Sequence, residues 1–227
     1  MNPIRDDELR QRGFVVIPGA VPGDRVEPMS DAYDAAVASA DAADVRVGTT
    51  STRVNDFVNR GEMFDAIYTF LPLLDACRLV VGGPFKLSSF HARTLHPHAP
   101  CPPLHVDVRR GSADWPLLGF ILMIDAFRPE NGATRFVPGS HEWLNAPEDD
   151  PGVRADEERA CGPAGSLLVF NGSAWHEHGA NVTDRPRRSI QGAFVPRDGK
   201  AWTDFAVRMQ PETRARLSPF ARYLLSL

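Results

Sequence analysis

The sequence predicts a mainly β domain, a sandwich or barrel with helices packed outside it. Three observations carry that prediction. Helical stretches come first, a run of short strand-like segments follows, and a helical tail comes last; strands and helices do not alternate along the chain. The 20 prolines and 18 glycines in 227 residues suit many turns better than a helical bundle. No internal repeat, low-complexity tract or linker divides the chain, so residues 1–227 are expected to form one domain with a full core.

Taken in order, Asp6 to Arg12 reads as a short helix ended by Gly13, and FVVIPG from Phe14 as a strand stopped by a proline turn. Asp24 is placed to cap a helix running to about Ala43, with Val26, Met29, Tyr33 and Val37 at helical spacing. Residues Val45 to Arg60 are polar and read as an irregular excursion. Met63 to Val81 is helical with an interruption at Pro72. Beyond the turn at Gly82 the period changes. Phe85 to Leu95, Leu104 to Val108, Leu117 to Phe127, Thr134 to Val137, Ser166 to Phe170 and Arg188 to Val195 read as strands. From Thr203 the chain turns helical again, with Pro211 and Pro219 at helix starts.

Bulk chemistry excludes several function classes. Net charge is −4 and pI about 6.0, which argues against a nucleic-acid partner. Arginine dominates the basic residues, with Lys86 and Lys200 the only lysines, a bias of composition first. Cys77, Cys101 and Cys161 form no Cys-x-x-Cys pair, so reduced thiols in a cytoplasmic protein are expected rather than a disulfide framework or thiolate zinc site. The charged N-terminus does not read as a secretory signal, and no apolar run approaches the ~20 residues of a membrane helix.

One constellation carries chemistry. PLHVDVR places His105 and Asp107 two apart, and on a strand such residues share a face. Two histidines and one carboxylate holding a cation with three adjacent positions open is the facial triad of non-haem Fe(II) oxygenases. The third ligand must come from elsewhere. FNGSAWHEHGANVTDRPRRSI offers His176 and His178 after the apolar strand GSLLVF and before the strand RSIQGAFV. An arginine there can pair with a ligand carboxylate through its planar fork.

At this point the chain resembles the phytanoyl-CoA dioxygenase family of Fe(II)- and 2-oxoglutarate-dependent oxygenases. The resemblance rests on RGFVVIPGAV followed by a helix, PLHVDVR, ENGATRFVPGSH and WHEHGANVTDRPRRS occurring in that order over nearly the whole chain. It implies a double-stranded β-helix, the jelly-roll or cupin-like barrel, with flanking helices. It implies His105, Asp107 and His176 as iron ligands, O₂ as co-substrate, and Arg187 as the anchor of the distal carboxylate of 2-oxoglutarate. The register of ligand histidine, asparagine five on and arginine eleven on fits His176, Asn181 and Arg187, and favours them over His178, Arg185 and Arg188. His178 stands where the family often has a small hydroxyl residue, and Pro102 and Pro103 where it often has glutamine. His178 and Thr134 are expected to contact 2-oxoglutarate.

Arg53, Asn55, Arg93, Arg109 and Trp115 are expected to line the substrate site, with solvated surface as the plain alternative for the arginines and core for Phe120 and Met123. His141 reads as structural. His96 and His98, with Pro97 between them, read as a loop near the site mouth. Asn131-Gly132 reads as a tight turn and Asn181 as a loop-holding side chain. The function expected is hydroxylation, desaturation, epimerisation or ring closure on a small organic molecule, with natural-product biosynthesis as the setting. In the family's halogenating relatives a small residue replaces the carboxylate, so Asp107 points away from halogenation. Two other classes compete: a redox-silent cupin-like isomerase, which needs no 2-oxoglutarate anchor, and a non-catalytic ligand-binding barrel. Neither substrate nor oligomeric state is legible.

Overall fold

The computed structural model describes residues 6–143 and 156–227. Two antiparallel sheets face each other. The larger contains β1 (Phe14–Ile17), β2 (Val45–Val47), β3 (Ser51–Val54), β4 (Phe85–Leu95), β5 (Leu118–Met123), β8 (Leu167–Asn171) and β10 (Arg187–Pro196), in the order β1-β8-β5-β10-β4-β3-β2. The smaller contains β6 (Thr134–Phe136), β7 (Glu158–Ala160) and β9 (His176–His178), in the order β7-β6-β9. This is the jelly roll expected.

Strand alternation sorts the side chains of the large sheet into two layers. Leu87, Phe90, Phe120, Leu122, Val169, Ile190 and Phe194 lie in the core cluster shared with the helices. Those helices are α1 (Asp6–Arg12), α2 (Gly23–Ala38), α3 (Asp65–Tyr68), α4 (Leu71–Val81), α5 (Phe205–Arg208), α6 (Pro211–Arg216) and α7 (Pro219–Leu224). The alternate residues Phe14, Ile121, Met123, Leu168 and Phe170 pack with Phe136 and Ala160 of the small sheet. At the β4–β10 end the same inner face changes character: His91 opposes Gln191 and Arg93 opposes Ser189. Apolar filling therefore closes one part of the space between the sheets and polar side chains line the other.

Several boundaries differ from the sequence reading. The second helix begins one turn's edge earlier, with Pro22 at the cap position and no side-chain cap bond, so Asp24 lies in the first turn instead. It ends at Ala38, where the Ser39 hydroxyl donates to the Ala35 carbonyl at 2.8 Å. Residues 45–54 are not irregular: they form the β2–β3 hairpin, which extends the large sheet by pairing Arg53 with Arg93. Pro72 sits in the first turn of α4, where a missing N–H costs no helical bond. Leu104 to Val108 is not a strand; only His105 bridges, to His176. Two short strands, β7 and β9, escaped the pattern. No helix among the described residues is long and apolar enough to cross a membrane.

Candidate active site

Backbone pairing brings the expected ligands together. β9 pairs with β6, placing His176 opposite Phe136 and His178 opposite Thr134. On its other side His176 exchanges two backbone hydrogen bonds with His105, at 3.0 and 2.9 Å. The Asp107 and Val108 N–H groups both donate to the Gly172 carbonyl. That clamp, rather than strand alternation, turns Asp107 back toward His105. Ligand atoms of His105, Asp107 and His176 all lie within 4.8 Å of one another. The nearest approaches to the Asp107 carboxylate are 3.6 Å from His105 Nε2 and 3.9 Å from His176 Nε2. Of the two histidines open in the sequence, His176 joins this cluster.

The rings are fixed by their neighbours. His176 Nδ1 lies 2.9 Å from the Ala174 carbonyl, which only accepts, so Nδ1 carries the proton and Nε2 presents a lone pair. Phe136 and Phe170 hold the imidazole at ring-centre distances of 5.4 and 4.6 Å. Burial, chiefly, keeps His176 below the usual histidine range and hence neutral. His105 Nδ1 lies 3.4 Å from Glu177. Hydrogen bonds to Asp107 and then Glu177 hold His105 up to about 9. Two carboxylates against one ring call for positive charge there, which a divalent cation supplies as well as a proton does. Burial resists ionisation of Glu177, yet His105 and the His178 N–H bring its carboxyl down to about 2. Two imidazoles and one carboxylate form a donor set suited to iron.

An open cavity of about 590 Å³ between the sheets reaches this cluster and also Arg187. Arg187 is 2% exposed, and its Nε and Nη1 are buried with no hydrogen-bond partner. Its guanidinium stacks 3.8 Å over the Phe127 ring. Burial, reinforced by Arg93, lowers it to about 9. A buried cation with unspent donors facing a cavity is a receptor for an anion. Arg188 is instead tied to Asp125 and Asp34, and Arg185 is exposed. Thr134 and His178 line the cavity beside Arg187. His178 Nδ1 donates to the Gly179 carbonyl at 2.8 Å, and Nε2 lies 3.3 Å from the Thr50 hydroxyl.

Arg53, Asn55 and Arg93 line the same cavity. Arg109 and Trp115 do not: the exposed segment 109–115 runs over the surface, so the expectation that they line the substrate site is corrected. Phe120 belongs to the helix-side core yet borders the cavity. His96 bonds the Thr52 hydroxyl at 2.9 Å, and His98 sits in a turn at φ 55° facing Asp184. Buried His141 donates to the Arg10 carbonyl. Asn181 is fully buried, donates to the His96 and Arg185 carbonyls and accepts from Thr183. Sequence reasoning missed Glu177, His91, Gln191 and the rim from Trp202 to Arg208. Glu177 lies between the two histidines of a three-residue strand, a position without any pattern to flag it.

The model of the phytanoyl-CoA dioxygenase family matches residues 9–189. The chain belongs to that family. Among similar proteins, dioxygenase af480 of Aspergillus fumigatus is 28% identical over 162 residues, covering 68% of this chain and 52% of that protein. Dioxygenase trt7 of Aspergillus terreus is 30% identical over 165 residues, covering 66% and 56%. The chain thus spans about half the length of these two relatives. Among solved structures, the non-heme alpha ketoglutarate dependent epimerase SnoN from nogalamycin biosynthesis superposes with a TM-score of 0.69 at 20% identity, covering 84% of this chain and 81% of that one. HygX from Streptomyces hygroscopicus, crystallised with nickel and 2-oxoglutarate, gives 0.70 at 18%, covering 86% and 87%. At such identities the likeness establishes the fold. The cavity rim from Trp202 to Arg208 lies outside the segment matched by the family model.

Proposed function

We propose that the protein is an Fe(II)- and 2-oxoglutarate-dependent oxygenase acting on a small organic substrate. One observation carries the reading: a buried arginine with two orphaned donors shares a cavity with a two-histidine, one-carboxylate cluster. Such an anchor fits a dianionic co-substrate whose far carboxylate pairs with the guanidinium while its other end reaches the metal. A redox-silent isomerase on this barrel has no use for that pairing, and a mere binding barrel has no use for an oriented donor set.

In this reading His105, Asp107 and His176 hold iron. Iron with 2-oxoglutarate and O₂ supplies the power to oxidise a substrate C–H bond, with decarboxylation to succinate. The chain's own residues bind and orient. The Ala174 carbonyl sets the His176 tautomer, and Glu177 sets the His105 ring. Arg187 takes the distal carboxylate, with Thr134 and His178 alongside. Leu117, Ile121 and Phe170 give the cavity apolar walls that exclude water and seat the substrate. Hydroxylation is the default outcome. The three cysteines are unpaired, which fits a reduced, cytoplasmic setting.

The test is succinate formation from 2-oxoglutarate under air with Fe(II), comparing wild type with Asp107→Ala. Iron-dependent succinate release that the substitution abolishes supports the proposal. Metal-loaded wild type that never consumes 2-oxoglutarate, with or without candidate substrates, overturns it.

A further inference from the structure

We propose that Arg53 and Arg93 form a second anion subsite, separate from Arg187, which receives a carboxylate or phosphate carried on a largely apolar substrate. The inference rests on the oxygenase reading and names a substrate class for it.

Arg53 and Arg93 stand directly opposite each other on β3 and β4, and both line the cavity. Like charges in directly opposed positions of an antiparallel pair repel. Neither is neutralised in the usual way. Arg93 donates to the Ser51 hydroxyl at 3.1 Å, and its nearest carboxylate, Glu177, is 4.0 Å away and already engaged by His105. The Arg53 side chain makes no hydrogen bond and no ion pair within 4.0 Å among the described residues. The cavity's other arginines differ: Arg208 is paired with Asp44 and Asp56. Arg187, assigned to the co-substrate in the proposed function, lies on β10, two strand spacings or about 10 Å from Arg53 on β3, with Arg93 on the strand between them.

The wall beside the pair is polar and also unsatisfied. His91, the next inward residue of β4, keeps a buried Nε2 without a partner. Burial next to these arginines holds His91 neutral, down to about 3, so it can accept or donate a hydrogen bond without adding charge. Farther along the same sheet, on β5 and β8, the lining turns apolar at Ile121 and Phe170, with Leu117 beside them. Two cations and a neutral imidazole at one end of a lining that turns to hydrocarbon at the other select an organic acid: an oxyanion at the arginines, an apolar body along the walls.

The test uses holo protein loaded anaerobically with Fe(II) and 2-oxoglutarate. Phenylbutyrate, its primary amide and phenylbutyl phosphate are titrated in turn, followed by the visible band of the chelate and by tryptophan fluorescence. The expected result is that one acid binds about tenfold or more tighter than the amide. Arg53→Gln removes that preference, and Arg53→Lys keeps part of it. The 2-oxoglutarate needed to develop the band stays within about twofold of wild type, which also reports correct folding. Whichever acid is preferred names the anion. The assignment is overturned if neither acid outbinds the amide, if Arg53→Gln keeps the preference, or if that variant shifts 2-oxoglutarate saturation instead. A wild type that binds metal without developing the band overturns the oxygenase reading; fluorescence still decides the acid preference in that case.

Discussion

Replacing Arg187 by methionine tests the buried cation from two directions. Burial lowers the guanidinium from the usual arginine range to about 9. At about 1.4 kcal/mol per unit of pKa, holding it charged costs the folded state on the order of 5 kcal/mol. The sign is that of a depressed base: the cost is present at every pH below the folded value and fades as pH rises through it. Stacking on Phe127 returns about 1–2 kcal/mol, and imperfect filling by methionine costs roughly another 1 kcal/mol. The ligand-free variant should therefore be more stable than wild type by about 2 kcal/mol, which for a chain of this size raises Tm by roughly 4–8 °C. With metal and 2-oxoglutarate present the order should reverse, because the variant loses about 100-fold or more in 2-oxoglutarate affinity. Differential scanning fluorimetry with and without ligands reads both effects. A ligand-free variant that melts lower than wild type, or one that keeps its 2-oxoglutarate affinity, would refute the reasoning.

Further outcomes follow from the same geometry. Glu177→Gln removes the carboxylate that orients His105 and should weaken Co(II) binding by about 10–100-fold in an absorbance titration; unchanged affinity would remove Glu177 from the site. A Cβ on Gly119 would lie 2.2 Å from the Phe170 ring, which packs on His176. Gly119→Ala should cost about 1–3 kcal/mol in urea unfolding and weaken metal binding as well; loss of stability alone would mean that the Phe170 seat is not needed. Cys101 and Cys161 are exposed while Cys77 is buried, with its thiol pushed up by burial. Thiol titration should find two fast groups in native protein and a third only on unfolding; three fast groups would contradict the packing around α4.

The legible parts of the fold were those whose side chains alternate between core and a second environment. β4 matches its expected bounds, Phe85 to Leu95, and β10 extends its own by one residue at either end. The C-terminal helix starts at Pro211 and Pro219 were legible because proline at the first helical positions has a single physical reason. β7, the strand ERA, escaped because it is short and mostly exposed, and the other missed elements reach the cavity. The hairpin strand STRV turns Arg53 toward a polar chamber, and β9 is HEH, so neither shows apolar alternation. His91 was hidden for the same reason, inside a strand read correctly but on the face that ligands rather than side chains fill. His105, Asp107, His176 and Arg187, which the structure gathers at one cavity, were picked out by the order of motifs, whereas Arg109 and Trp115 were placed there by likeness to substrate-facing positions of the family.

The most direct test of the central claim is anaerobic titration of the protein with Fe(II) and 2-oxoglutarate, watching for the weak visible charge-transfer band of the metal chelate. The account predicts a band in wild type that disappears in Asp107→Ala and His176→Ala and needs far more 2-oxoglutarate in Arg187→Met. Metal demonstrably bound to wild type with no band at saturating 2-oxoglutarate would contradict it.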